Sequence, residues 1–62
     1  MHPLEQEIQA ITEQYQLGHI SQEEHMYLLT EIRDVRVAQE CAGNEVAFRH
    51  IVQACNIAMF VI

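Results

Sequence analysis

A helical hairpin is predicted by the segment Gly18-His19-Ile20-Ser21-Gln22-Glu23-Glu24. Glycine after a periodic apolar stretch ends a helix, because it adopts the left-handed backbone conformation without steric cost. Ser21 and Glu24 form a predicted capping box, in which each side chain accepts a hydrogen bond from the backbone N–H of the other residue. Gly18, Ser21 and Glu24 therefore mark where one helix ends and the next begins. Helices joined so closely must fold back on each other.

The first helix is expected to run from about Pro3 to Leu17. Proline suits the first helical turn, where its missing N–H is no loss. Apolar residues recur at helical spacing along one stripe, which contains Leu4, Ile8, Ile11 and Tyr15. The opposite face is expected to lie in solvent and contains Glu5, Gln6, Gln9, Glu13 and Gln16.

The second helix is expected over residues 21–42, ending near Cys41. Its predicted apolar face contains Leu28, Leu29, Ile32, Val35 and then Ala38 or Ala42. We expect Leu28, Ile32 and Val35 to pack against Ile8, Ile11 and Tyr15. Arg36 and Glu40 are spaced for a surface ion pair, which contributes only about 0.3–0.5 kcal/mol.

A third helix is predicted over residues 44–62, with Gly43 as the break and Asn44 as the N-cap. Two alternatives remain open. Gly43 can lie inside one long helix at a cost of about 1 kcal/mol relative to alanine, or Ala58–Ile62 can form a terminal strand. The predicted fold is all-α, a helical hairpin plus a third apolar helix, in one small domain spanning residues 1–62.

The C-terminal segment is too apolar for one small domain to cover. No charged residue follows Arg49, and Val46, Ile57, Phe60 and Val61 fall outside the main apolar stripe of the third helix. Because monomers rarely expose large apolar patches, we expect self-association or docking into a larger assembly. The predicted interface consists of Phe48, Ile51, Val52, Cys55, Met59, Phe60 and Ile62. This segment is too short to span a bilayer, which takes about 20 apolar residues.

The charge balance argues against direct nucleic-acid binding. Among 62 residues, nine acids outnumber three arginines and give a formal net charge of −6, whereas nucleic-acid binders normally carry a basic footprint. An acidic first half keeps the chain in solution or binds a basic partner, so an acidic regulator or inhibitor is the alternative function. The N-terminus lacks signal-peptide order, and a cytoplasmic or virion location is expected.

Neither a metal site nor an enzyme is expected. The four histidines and two cysteines lack the closely spaced ligand pairs of zinc sites. His19 and His25 are expected at the hairpin and at the polar edge of the second helix. Cys41 and Cys55 are expected to be buried apolar residues, not a disulfide framework. A chain this short offers little volume for a catalytic pocket, so no cofactor is predicted.

The stretch from Tyr15 to Leu29, with Gly18, Ile20-Ser21 and the paired acids Glu23-Glu24, resembles the SHOCT (short C-terminal domain) helical hairpin. Similar hairpins occur in small proteins of tailed bacteriophages. The resemblance covers about a quarter of the chain and implies an interaction or oligomerisation module, with no catalytic residue. The second helix departs from the family in having only Arg33 and Arg36 as basic residues. The expected function is therefore that of a small structural or assembly protein, with a bacteriophage particle as one setting.

Overall fold

Three helices form the fold. The computed structural model describes residues 2–60, and this range contains helices and no strand. Helix α1 spans Pro3–Gln16 and helix α3 spans Glu45–Met59. Between them, helix α2 consists of α-helical turns at Gln22–Glu31 and Val37–Glu40 on either side of a π-helical turn at Ile32–Arg36. The predicted all-α class with three helices is confirmed.

The hairpin between α1 and α2 turns at Gly18. This glycine has a φ of 80°, which L side chains rarely adopt. Its N–H donates to the carbonyl of Tyr15 at 3.0 Å, and the N–H of His19 donates to the carbonyl of Gln14 at 2.9 Å. This pair of bonds is the Schellman arrangement that satisfies the last carbonyls of a helix. The predicted role of Gly18 as the helix stop is confirmed.

Only half of the predicted capping box forms at the start of α2. The Ser21 hydroxyl accepts from the N–H of Glu24 at 3.1 Å. The return bond, from the N–H of Ser21 to the Glu24 carboxylate, is not made among the described residues. A reciprocal box forms instead at α1, where the N–H of Leu4 donates to His2 Nδ1 at 3.0 Å and the N–H of His2 donates to Glu5 Oε1 at 3.4 Å. The cap at His2 was not predicted from the sequence.

A second glycine separates α2 from α3. Gly43 has a φ of 79°, and the side chain of Asn44 accepts from the N–H of Ala47 at 3.1 Å. The alternative of one long helix through Gly43 is therefore wrong. The alternative of a terminal strand is wrong for Ala58 and Met59, which are helical. Val61 and Ile62, which complete that prediction, lie outside the described residues.

The core lies where the three helices meet, and each helix packs against the other two. Its buried apolar residues are Leu4, Ile8, Leu29, Ile32, Val37, Cys41, Ile51, Cys55 and Ala58. The predicted stripe of α1 is present in part, since Leu4 and Ile8 are buried while Ile11 packs against the core from its edge. All three helices contribute to this core, so each helix depends on the other two to cover its apolar side.

The π-helical turn changes which residues of α2 face the core. The N–H of Val37 donates to the carbonyl of Ile32, five residues earlier, so the turn holds more residues than an α-helical turn does. The expectation that Val35 packs inward is wrong, because it is 48% exposed while Val37 is 1% exposed. The extra residue moves the inward face from Val35 to Val37 and Cys41.

Candidate functional site

Most of the predicted interface on α3 belongs to the core of one copy. Ile51 and Cys55 are 0% exposed, and Val52 and Met59 pack against the core from its edge. Ile51 and Cys55 are therefore corrected from interface to core residues, because α1 and α2 already cover them. Phe48 is partly covered, at 39% exposed. Ile62 lies outside the described residues.

The most exposed apolar residues of α3 and its C-terminal cap lie on the opposite face. Val46 is 80% exposed, Ile57 is 61% exposed and Phe60 is 82% exposed. These three residues fall outside the apolar stripe in the sequence, and the structure leaves them uncovered. Of the predicted interface, only Phe60 belongs to this face.

Five residues follow this face from one end of α3 to the other. We call them the outer seam: Val46, His50, Gln53, Ile57 and Phe60. Their spacing of four, three, four and three residues keeps them in one line along a helix, and it is the spacing of a coiled-coil seam. All five are exposed. The outer seam therefore has the geometry for packing against another helix.

The outer seam carries little net charge. Glu45 and Arg49, beside its first turn, form an ion pair at 2.8 Å. His50 Nε2 lies 3.1 Å from Glu5 Oε2 of α1, and this hydrogen bond lowers the pKa of the Glu5 carboxyl. The negative charge of the chain is therefore concentrated on α1 and α2.

The acids without an ion-pair partner among the described residues are Glu13, Glu23, Glu24 and Glu31. Each of the three arginines, by contrast, is within ion-pair distance of an acid. Arg36 joins two elements, since it contacts Glu7 of α1 at 3.0 Å and Glu40 of α2 at 2.8 Å. This confirms the predicted Arg36 to Glu40 pair.

A groove of about 660 Å³ runs between α1 and α3 beside the outer seam. Ile8, Ala54 and Ala58 supply its apolar lining, together with the exposed Ile57. The α1 side is polar and contains Glu5, Gln9, Thr12, Glu13 and Gln16. Because Ile57 belongs to both the groove and the outer seam, the two surfaces are continuous.

Both cysteine side chains are buried. Burial raises the pKa of the Cys55 thiol to about 11, so the reactive thiolate is scarce at neutral pH. Cys41 is buried, with its Sγ 3.7 Å from His2 Nε2. Within residues 2–60, no group of three or more His, Cys, Asp or Glu side chains could hold a metal ion.

His25 is buried, and the expectation that it lies at the polar edge of α2 is wrong. It is 1% exposed, and its Nε2 lies 3.4 Å from the hydroxyl of Thr12. A signal for this position was present in the sequence, because His25, Leu29 and Ile32 are spaced four and three residues apart on one helix face. His19 is exposed at the hairpin, where its Nδ1 lies 2.8 Å from Gln14 Oε1.

No helix in residues 2–60 combines the length and the apolar character needed to cross a membrane. Comparison with protein-family models, curated proteins and solved structures finds no match to this chain. The resemblance of residues 15–29 to the SHOCT hairpin therefore stays a prediction. The outer seam is the candidate functional site, because it is the face of α3 where large apolar side chains remain in water.

Proposed function

We propose that this chain is a small assembly protein that binds another protein through the outer seam of α3. The observation that carries the proposal is the exposure of Val46, Ile57 and Phe60 on one side of a helix whose other side is already buried. Covering a large apolar side chain stabilises a complex by about 1.5–3 kcal/mol. Exposed apolar groups of this size on one face are typical of interaction sites.

The partner surface must itself be apolar. Covering three such side chains contributes roughly 5–9 kcal/mol, whereas association costs an estimated 4–15 kcal/mol in lost freedom of motion. The outer seam alone therefore offsets only the lower part of that range. A partner that contributes a similar set of apolar side chains roughly doubles the favourable contribution.

Light scattering on matched variants tests this proposal. Phe60→Asp places a charge on the outer seam and should lower the mean mass of the associated species. Tyr27→Asp is the control, because Tyr27 is 66% exposed on α2 and the same charge is introduced away from the seam. Circular dichroism checks that both variants keep their helices. An associated parent chain whose mass both variants share would contradict the proposal.

Salt separates this function from the alternative of an acidic regulator. Apolar association should persist between ionic strengths of about 0.15 M and 1 M, because screening shortens the reach of charges and leaves apolar contacts intact. The four unpaired glutamates give the alternative its support. If they bind a basic surface, affinity for an oligolysine peptide should fall steeply with salt and with the double substitution Glu23→Gln, Glu24→Gln.

The proposal extends to a structural component of a particle, such as a bacteriophage virion, on the resemblance of residues 15–29 alone. In such a particle, every copy of the chain would use the same outer seam to contact its neighbour. Electron microscopy that compares particles assembled with the parent chain and with the Phe60→Asp variant tests this extension. Normal assembly with the variant would contradict it.

A further inference from the structure

We propose that the partner of the outer seam is a second copy of this chain, with the two α3 helices antiparallel. This inference rests on the proposed function and names its partner. In the proposed register, Val46 packs against Ile57 of the second copy and His50 lies beside Gln53 of the second copy. The two-fold axis passes between His50 and Gln53. Each contact therefore occurs twice, as it must in a symmetric dimer.

The order of residues along the seam supports a contact between identical surfaces. Val46, His50, Gln53 and Ile57 are apolar, polar, polar and apolar, at spacings of four, three and four residues. This pattern is the same when α3 is followed in either direction. An antiparallel pair therefore brings apolar groups onto apolar groups, and an imidazole onto an amide that can donate or accept a hydrogen bond.

Phe60 extends the same register at both ends of the pair. Three residues beyond the contact of Val46 with Ile57, the ring of Phe60 reaches the turn at Gly43 of the second copy. A Cβ added to Gly43 would meet no other atom within 4 Å, so the chain's own side chains do not cover this turn. Shifting the register by one heptad would instead place the polar imidazole of His50 beside the apolar ring of Phe60.

Charge favours a second copy at this face over any other face. Two chains of net charge −6 repel each other wherever their acidic surfaces meet. The seam itself contains no acid, the neighbouring Glu45 and Glu5 contact Arg49 and His50, and the small residue Ala54 lies on the side towards α1. Two copies can therefore approach through α3 with little repulsion and with the helices close together.

The antiparallel direction follows from the helix ends and from the side chains at the seam. Antiparallel helices place opposite ends of their dipoles side by side, whereas parallel helices place like ends together. A parallel pair would also bring His50 against His50 and Gln53 against Gln53, so that the imidazole no longer faces an amide. It would bring Phe60 against Phe60 at one end and the smaller Val46 against Val46 at the other, which is uneven packing.

Thiols introduced at two seam positions test the direction. Val46→Cys and Ile57→Cys are prepared as separate full-length chains of distinguishable mass, then oxidised alone and as a mixture. The antiparallel register predicts a disulfide between the two variants in the mixture. It predicts no intermolecular disulfide when either variant is oxidised alone. Two thiols at position 46 would be about 16 Å apart along the helix axis, beyond the reach of a disulfide. The parent chain is the control, since Cys41 and Cys55 are buried.

The oxidation and mass measurements together separate the helix direction, the register and the proposed function. Disulfides within each single variant, and none in the mixture, would overturn the antiparallel arrangement while association through the seam stands. No disulfide in any sample, with an associated mass that Phe60→Asp abolishes, would overturn this register and leave the proposed function intact. A monomeric parent chain would overturn the second copy as the partner. An associated mass that Phe60→Asp does not change would overturn the proposed function as well.

Discussion

The imidazole of His25 stacks on the ring of Tyr15, with 4.4 Å between the ring centroids and 15° between the planes. This contact joins α1 to α2 close to the hairpin. His25 is buried, and the loss of hydration lowers the pKa of its imidazole below the ordinary value of about 6.5. The fold therefore holds His25 in its neutral form.

Stability is predicted to fall as the pH drops below about 6.5, the pKa of an unfolded histidine. Above that pH, His25 is neutral in both states and its full contribution is present. Below it, the unfolded chain binds the proton more readily than the folded chain. The free energy of unfolding therefore decreases as the pH falls from the pKa of the unfolded state to the lower pKa of His25 in the folded state. Urea unfolding at several pH values measures this. His25→Phe should reduce the slope between pH 7 and 5, and the exposed control His19→Gln should retain it. Equal slopes in His25→Phe and the parent would show that His25 is not the group responsible.

Alanine at either of the two turn glycines should destabilise the fold because of backbone strain and not because of a steric clash of the side chain. Gly18 and Gly43 have φ values of 80° and 79°, and an added Cβ at either position meets nothing within 4 Å. We expect Gly18→Ala and Gly43→Ala each to lower the free energy of unfolding by about 1–2 kcal/mol. Gly18→Asn should cost less, because asparagine tolerates the left-handed conformation. Thermal unfolding would contradict this account if alanine and asparagine at position 18 gave the same loss.

The half-formed capping box predicts unequal effects at its two residues. Ser21→Ala removes the acceptor of the Glu24 N–H and should lower the free energy of unfolding by about 1 kcal/mol. Ser21→Asp keeps an acceptor and should restore most of that loss. Glu24→Ala should be close to neutral, because the Glu24 carboxylate makes no return bond to the N–H of Ser21. A loss at Glu24→Ala as large as that at Ser21→Ala, measured by urea unfolding, would mean that the reciprocal box forms in solution.

Two isoleucines on α3 provide a matched comparison of its inner and outer faces. Ile51 is 0% exposed and Ile57 is 61% exposed. Ile51→Ala should lower the free energy of unfolding by about 2–5 kcal/mol, because it empties a packed site. Ile57→Ala should cost much less when unfolding is measured at dilution, where copies do not meet. Similar losses at the two positions would contradict the division of α3 into a core face and an outer seam.

The sequence predicted the features that depend on neighbouring residues. Gly18 and Ser21 set the hairpin, and Gly43 and Asn44 separate α2 from α3, because a left-handed glycine and a side-chain cap act within a few residues. The burial of Val37 in place of Val35 could not be predicted in this way. It depends on the π-helical turn, and that turn offers α1 and α3 a different face of α2 than a regular helix would.

The sequence analysis assigned to the interface two residues, Ile51 and Cys55, that the fold buries. The excess of apolar residues on α3 was visible in the sequence, and so was the position of Ile57 off the main stripe. The sequence could not show that α1 and α2 together cover Ile51 and Cys55, because that depends on how three helices meet. Once that stripe is buried, the residues off the stripe become the exposed ones.

Sedimentation equilibrium across protein concentrations tests most directly whether the outer seam drives association. The chain has a mass of 7.2 kDa, and the contact of two short helices is small, so we expect association between about 1 µM and 1 mM. The mean mass should approach twice 7.2 kDa in the parent chain and stay at the monomer value in Ile57→Asp. A parent chain that remains at 7.2 kDa over the whole range would contradict the account.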